Sequence, residues 1–149
     1  MSLQNLSELE ADLQTAAKTR DQIKLSVLRL LKSALKNYEI EVGHDATPQE
    51  ILAVVQKEAK KRQDSITQYS KANRNDLVQE EQAELTILDS YLPEKLSDGE
   101  LDALVESAIK QTGATSLADM GKVIQRIMKE SAGAADGAAV STKVKAALT

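Results

Sequence analysis

Three basic residues near the end of the chain have a spacing that could bind phosphate groups. Lys122, Arg126 and Lys129 stand at offsets of 0, 4 and 7, so they form one ridge about two turns long if the segment is helical. Such a ridge can follow a nucleic-acid backbone, with binding that is electrostatic and weakens steeply with salt. Lys143 and Lys145, in the next helical pattern, could join it. A solvated lysine face without a ligand is the alternative interpretation.

A second set of basic residues lies in the first half of the chain. Its members fall on two predicted helices and could form one surface if those helices pack side by side. Alternatively, they pair with nearby carboxylates in exposed ion pairs, each worth about 0 to 1 kcal/mol. The set consists of Arg29, Lys32, Lys36, Lys57, Lys60 and Lys61.

Residue types that carry catalysis are scarce. The chain has no cysteine, and its one histidine, His44, lies in a predicted loop. No spacing typical of a metal site, a nucleophile with a base, or a GxxxxGK[ST] phosphate loop is found, so we predict no metal and no cofactor. The carboxylates Glu80, Glu81 and Glu84 fall on the polar side of a predicted helix, which favours a solvated face.

The glycine-rich stretch from Gly133 to Gly137 has two interpretations. A loop of this kind that enters a helix can bind phosphate through free backbone amides. Asp136 argues against that function, because its carboxylate would accept hydrogen bonds from the same amides and repel an anion. We therefore interpret the stretch as a turn between two short helices, with Gly133 at the reversal and Asp136 as the cap.

The two helices of this tail have a recognisable frame. Ser116 and Asp119 form a predicted capping box, and Met120, Ile124, Ile127 and Met128 form one apolar face. The frame resembles the C-terminal signature of the YqeY family, which is in turn similar to the tail of the B subunit of the glutamine-dependent aspartyl/glutamyl-tRNA amidotransferase. The matching residues are Asp119-Met120-Gly121-Lys122-Val123, Met128, Gly133, Asp136-Gly137, Val140, Val144 and Leu148.

The resemblance continues upstream and covers nearly the whole chain. It includes the segments Leu25 to Asn37, Lys60 to Ser65, Glu84-Leu85 and Tyr91 to Glu94. It implies an all-helical protein whose second part corresponds to a tail that docks on tRNA in the amidotransferase. It does not imply catalysis, because the amidotransferase chemistry belongs to parts of that enzyme absent from this sequence.

Composition supports the all-α fold class. The 149 residues include three tyrosines, no phenylalanine and no tryptophan, and the apolar residues are mainly Leu, Ile, Val and Ala. The N-terminal residues show no signal-peptide pattern, and no apolar run is long enough to span a bilayer, so we predict a cytoplasmic protein. The net charge of −4 is uneven, because residues 75–106 carry ten acidic side chains and one basic one.

The pattern of caps and apolar positions predicts two helical subdomains. Residues 1–96 form a four-helix subdomain, in which the second helix has the widest apolar face, with Val27, Leu30 and Ala34 beside its main stripe. Residues 97–149 form a three-helix subdomain. Pro93 disfavours a helical conformation at the residue before it, and Ser97 begins a new capping box.

Three functions are compatible with these features. The first is a non-catalytic module that contacts tRNA or a tRNA-modifying assembly through the ridge. The second is an accessory component of a carbon–nitrogen ligase that uses glutamine as amide donor, as the family resemblance implies. The third is a protein-interaction adaptor whose partner covers the acidic middle segment. The sequence leaves the oligomeric state open.

Overall fold

As far as the structure describes the chain, it contains seven α-helices and no strand. The structure is a computed structural model, and it describes residues 3–131 and 134–149. The predicted all-α fold is confirmed. The helices are α1 Leu6–Lys18, α2 Gln22–Val42, α3 Pro48–Lys71, α4 Asn75–Asp89, α5 Asp98–Thr112, α6 Met120–Glu130 and α7 Gly137–Leu148.

The residue contacts divide the chain into two compact units. The first unit is Met1–Leu92 and contains α1 to α4. The second unit is Pro93–Thr149 and contains α5 to α7, with a short 3₁₀ helix, Leu117–Asp119, directly before α6. None of the described helices is both long and apolar enough to cross a membrane.

Most helices begin and end where the local chemistry of the sequence requires. The Glu50 amide donates to Thr47 Oγ1 at 3.2 Å and the Thr47 amide donates to Glu50 Oε1 at 3.1 Å, which forms a capping box at the start of α3. Gly43 ends α2 with a left-handed φ of 78°, which a residue with a Cβ rarely adopts. Helix α1 begins at Leu6, because Asn5 caps it by accepting the Glu8 amide.

Helix α2 lies at the centre of the first unit and packs against α1, α3 and α4. Leu28, Leu31 and Leu35 on its core face are at most 1% exposed. Leu30 was expected to widen this face, but it is 53% exposed. Residues that lie two positions apart on a helix point to nearly opposite sides, so Leu30 faces solvent when Leu28 is buried.

The second unit has its own core, formed by α5, α6 and α7. Val123 and Ile127 of α6 and Val140 and Val144 of α7 are completely buried, and they pack with Leu101, Val105 and Ala108 of α5. The apolar face predicted for α6 lies against this core, and Ile127 is its one completely buried member. Met120, Ile124 and Met128 are half-buried, because the core side of α6 is centred between Val123 and Ile127.

A hydrogen-bonded corner joins α2 to α3. The Tyr38 hydroxyl donates to Glu50 Oε2, and the Ala46 amide donates to Glu39 Oε2 at 2.7 Å. The bond from Tyr38, together with the bonds from Thr47, holds the pKa of Glu50 below its ordinary value of 4.5. This corner fixes the direction in which α3 leaves α2.

The position of α2 can be tested by comparing two of its leucines. Leu28→Ala removes a fully buried side chain and should lower the free energy of unfolding by about 2 to 5 kcal/mol. Leu30→Ala removes an exposed side chain and should change it by less than about 0.5 kcal/mol. Urea unfolding followed by tyrosine fluorescence measures the first unit alone, because all three tyrosines lie in it. Equal effects of the two substitutions would contradict this placement of α2.

The corner between α2 and α3 predicts a pH dependence. Because the folded-state pKa of Glu50 is lowered, its stabilising effect is present above pH 4.5 and is lost as the pH falls through the folded-state value. Tyr38→Phe removes the largest cause of that shift. The variant should therefore be less stable than the wild type at pH 7, and the difference should shrink at pH 3.5.

The matched control is Tyr69→Phe, because Tyr69 donates no hydrogen bond to another described residue. Urea unfolding of both variants at the two pH values, followed by the remaining tyrosines, measures the difference. A stability loss for Tyr38→Phe that is the same at pH 3.5 and pH 7 would show that Glu50 does not carry it.

Candidate nucleic-acid interface

The three basic residues of the predicted ridge lie together on the outer face of α6. Lys122, Arg126 and Lys129 are exposed and line one surface groove, together with Gln125 and with Thr112 at the end of α5. Burial of the opposite side of α6 fixes this orientation. The ridge therefore faces away from the core of the second unit.

The cations of the ridge differ in their surroundings. Arg126 Nε donates to Glu130 Oε1 at 3.0 Å, and both side chains are partly exposed, at 45% and 35%. Lys122 and Lys129 form no ion pair with any described residue. Lys122 and Lys129 are thus accessible to an external anion, whereas Arg126 is already paired with a carboxylate of its own helix.

Asp119 lies just before the ridge and keeps its negative charge. Its Oδ2 accepts hydrogen bonds from the amides of Thr115 at 3.0 Å and Ser116 at 3.4 Å. These bonds, and more weakly the charge of Lys122, hold the pKa of Asp119 below its usual range. The Asp119 carboxylate therefore stabilises the turn that leads into α6, because it accepts hydrogen bonds from backbone amides.

The structure does not bring Lys143 to the ridge. Lys143 Nζ binds Asp102 Oδ1 of α5 at 2.7 Å and lies 3.8 Å from Asp98 Oδ1. The bond to Asp102 raises the pKa of Lys143, so the lysine stays protonated. Its positive charge is balanced by the carboxylate of Asp102. It lines a different groove, between α5 and α7. Lys145 is exposed on the other side of α7 and does not line the groove of the ridge.

The structure describes four of the five motif residues of the tail, which are Met120, Gly121, Gly133, Asp136 and Gly137. Asp136 Oδ2 accepts the Ala139 amide at 3.1 Å and caps α7, and Gly137 is the first residue of that helix. A Cβ at Gly121 or Gly137 would meet nothing within 4 Å, so packing within the unit does not require glycine there. Met120 is half-buried against the core. Gly133 lies outside the described residues.

The second basic set is partly neutralised by carboxylates. Lys32 Nζ of α2 lies 3.3 Å from Glu10 Oε1 of α1, and Lys61 Nζ lies 3.2 Å from Glu58 Oε1 of its own helix. Among the described residues, the other members of the set form no ion pair. Those members are Arg29, Lys36, Lys57 and Lys60, all of them exposed.

The acidic residues of α4 are less uniform than the sequence suggests. Arg62 of α3 donates to Glu84 Oε2 at 3.0 Å and to Glu58 Oε2 at 3.1 Å, and its own side chain is only 12% exposed. Burial raises the pKa of Glu81. The predicted solvated face therefore holds for Glu80 but is wrong for Glu84, which bridges two helices.

Few groups that could carry a reaction lie close together. His44 is exposed, with its Nε2 3.7 Å from Glu50 Oε2. Within residues 3–131 and 134–149, no three His, Asp or Glu side chains come together as metal ligands. The described surface does carry a groove lined by three cations and one carboxylate.

Sequence reasoning did not identify three residues of this groove. Thr112, Gln125 and Glu130 are uncharged or acidic, so a search for cations passes over them. Helical spacing could have indicated two of them, since Gln125 stands three positions after Lys122 and Glu130 four positions after Arg126.

Comparison with known proteins identifies relatives along most of the chain. The protein named "Altered inheritance of mitochondria protein 41, mitochondrial" from Pyrenophora tritici-repentis is 31% identical over 145 residues, which cover 94% of this chain and 78% of that protein. The protein of the same name from Lachancea thermotolerans is 32% identical over 112 residues, with 73% and 60% covered. The one from Saccharomyces cerevisiae strain YJM789 is 34% identical over 98 residues, with 65% and 53% covered.

These relatives correct one prediction. They are named as mitochondrial proteins, so the predicted cytoplasmic location is contradicted. The prediction rested on the lack of a signal-peptide pattern and of long apolar runs, and these features do not distinguish one aqueous compartment from another. The chain matches only about half to three fifths of the length of the two yeast relatives.

A protein-family model confirms the resemblance drawn from the tail motif and the upstream segments. The model is described as "Yqey-like protein" and matches residues 6–148, from the start of α1 to the end of α7. Because the match spans both units, the chain belongs to the Yqey-like protein family.

Proposed function

We propose that this protein is a non-catalytic, tRNA-associated helical module that contacts the RNA backbone through α6. The observation that carries the proposal is the groove in which Lys122, Arg126 and Lys129 lie side by side on an exposed helix face. Cations spaced along a helix can bind successive phosphates without reading bases. The choice of tRNA rests on the resemblance of this tail to that of the amidotransferase B subunit.

The composition of the second unit defines the kind of recognition. The unit has no aromatic residue, because the three tyrosines lie in the first unit. Base stacking on aromatic rings is therefore not available, and binding must rely on phosphates and on the shape of the RNA.

Gly121 is consistent with a close approach by a ligand. It is exposed in the first turn of α6, where glycine stabilises the helix less than alanine does. A Cβ there would meet no atom within 4 Å. Packing within the unit does not require glycine at this position. The absence of a side chain leaves open surface next to Lys122, which is available to an RNA backbone that lies against α6.

The exposed members of the second basic set offer the RNA an additional contact. Arg29, Lys36, Lys57 and Lys60 lie in the first unit and form no ion pair among the described residues. They would add an electrostatic contribution that does not depend on the groove of α6. We treat the ridge as the primary contact, because the structure places its three cations in one groove.

Charge reversal tests the proposal. The triple variant Lys122→Glu, Arg126→Glu and Lys129→Glu should lose tRNA binding, because it replaces three cations with three anions on one face. For the wild type, about three phosphate contacts predict that affinity falls on the order of 10- to 50-fold between 50 and 200 mM salt. A fluorescence-anisotropy titration with labelled tRNA at the two salt concentrations measures both effects, and circular dichroism confirms that the variant keeps its helices.

A matched variant separates the ridge from net charge. Lys18→Glu, Lys71→Glu and Lys95→Glu change the net charge by the same amount, and all three side chains are exposed and lie outside the groove. This variant should retain most of the wild-type affinity. Equal losses in the two triple variants would leave only a general charge effect, and undiminished binding by the first variant would refute the ridge.

A further inference from the structure

We propose that Glu130 is an internal competitor for phosphate, which occupies Arg126 until RNA displaces it. This inference rests on the proposed function of the ridge and adds a residue that limits its affinity. Glu130 Oε1 accepts a hydrogen bond from Arg126 Nε at 3.0 Å, and Glu130 also lines the groove of the ridge. The carboxylate thus stands where a phosphate oxygen would bind the same guanidinium.

Geometry on α6 makes Glu130 a boundary of the ridge. With 100° between successive residues, Lys122, Arg126 and Lys129 lie within a sector of about 60°, and Glu130 lies about 40° beyond Arg126. Gln125 lies on the opposite side of the sector, about 40° beyond Lys129. The cations are therefore bordered by a neutral amide on one side and by an anion on the other.

Helix stability does not explain a carboxylate at this position. Glu130 is the last residue of α6, where the negative end of the helix dipole disfavours an anion. The pair also has arginine before glutamate at i and i+4, which is the less favourable order. Both side chains are more than a third exposed or close to it, so solvent weakens the pair further. The interaction is strong enough to orient Arg126 and weak enough for a phosphate to replace it.

A phosphate would be the stronger partner for Arg126 in the presence of RNA. It can accept two hydrogen bonds from one guanidinium, whereas Glu130 accepts only the one from Nε. The adjacent cations Lys122 and Lys129 would attract the same RNA strand. Glu130 therefore lowers the affinity for single anions more than for a polyanion that engages all three cations at once.

Neutralising Glu130 should strengthen binding. Glu130→Gln keeps the size of the side chain and removes its charge, and we expect about two- to fivefold tighter tRNA binding at 50 mM salt. The gain should shrink at 200 mM salt, because screening weakens the repulsion that the variant removes. The control is Glu100→Gln, which changes the net charge equally but lies 12 residues, about 18 Å, from Thr112 along α5.

A double-mutant cycle isolates the competition for Arg126. In an Arg126→Gln background the pair no longer exists, so Glu130→Gln should then give a clearly smaller gain in tRNA affinity. The titrations use the full chain, with circular dichroism as a check on folding. A gain for Glu130→Gln that equals that for Glu100→Gln, or that persists unchanged without Arg126, would overturn the inference while leaving the ridge in place. A wild-type chain that does not bind tRNA would overturn the proposed function instead.

Discussion

Burial of one side of α6 is the constraint on which the candidate interface depends. Val123 and Ile127 have no exposed surface, because they complete the core that α5 and α7 form with α6. A helix with these two positions buried must present the face with Lys122 and Arg126 to solvent. The apolar core of the second unit thus determines the direction of the charges, although no charged residue that the structure describes is buried in it.

The same core separates the cations of the tail into two groups with different roles. Lys143 follows Val140 and precedes Val144, both buried, so its side chain emerges beside α5. There it meets Asp102 in the first half of that helix, and the pair ties α7 to α5. Among the described residues, the cations of α6 form no ion pair with a carboxylate of another helix, and Arg126 alone forms one within α6. Packing therefore pairs Lys143 with a carboxylate of α5 and leaves the side chains of the ridge exposed.

Local signals in the sequence predict much of this fold, because they act over a few residues. The caps at Thr47 and Asp136 and the left-handed glycine at Gly43 depend only on neighbours within one helical turn. The resemblance to the YqeY family, carried by the tail motif and the upstream segments, extended this local information to the whole chain. These features therefore give helix number and approximate bounds without knowledge of tertiary packing.

Contacts between helices could not be predicted in the same way. The exposure of Leu30 depends on which sides of α2 are covered by α1, α3 and α4, and an apolar pattern wider than the core does not reveal this. The pairs Lys143–Asp102 and Arg62–Glu84 join residues 41 and 22 positions apart. Their partners are chosen by packing, so the sequence showed available charges but not which of them would be neutralised.

Net charge and local charge have opposite effects in this protein. A chain with a net charge of −4 repels nucleic acid at long range, and the acidic residues of 75–106 dominate that field. At physiological ionic strength the field of an exposed charge decays over about 8 Å, so a ridge two helical turns long can attract phosphates once they are in contact. Under the proposed function, binding through α6 would be set by short-range contacts and not by steering from a distance. Glu130 lines the groove itself, so under this proposal it would influence the affinity more directly than the net charge does.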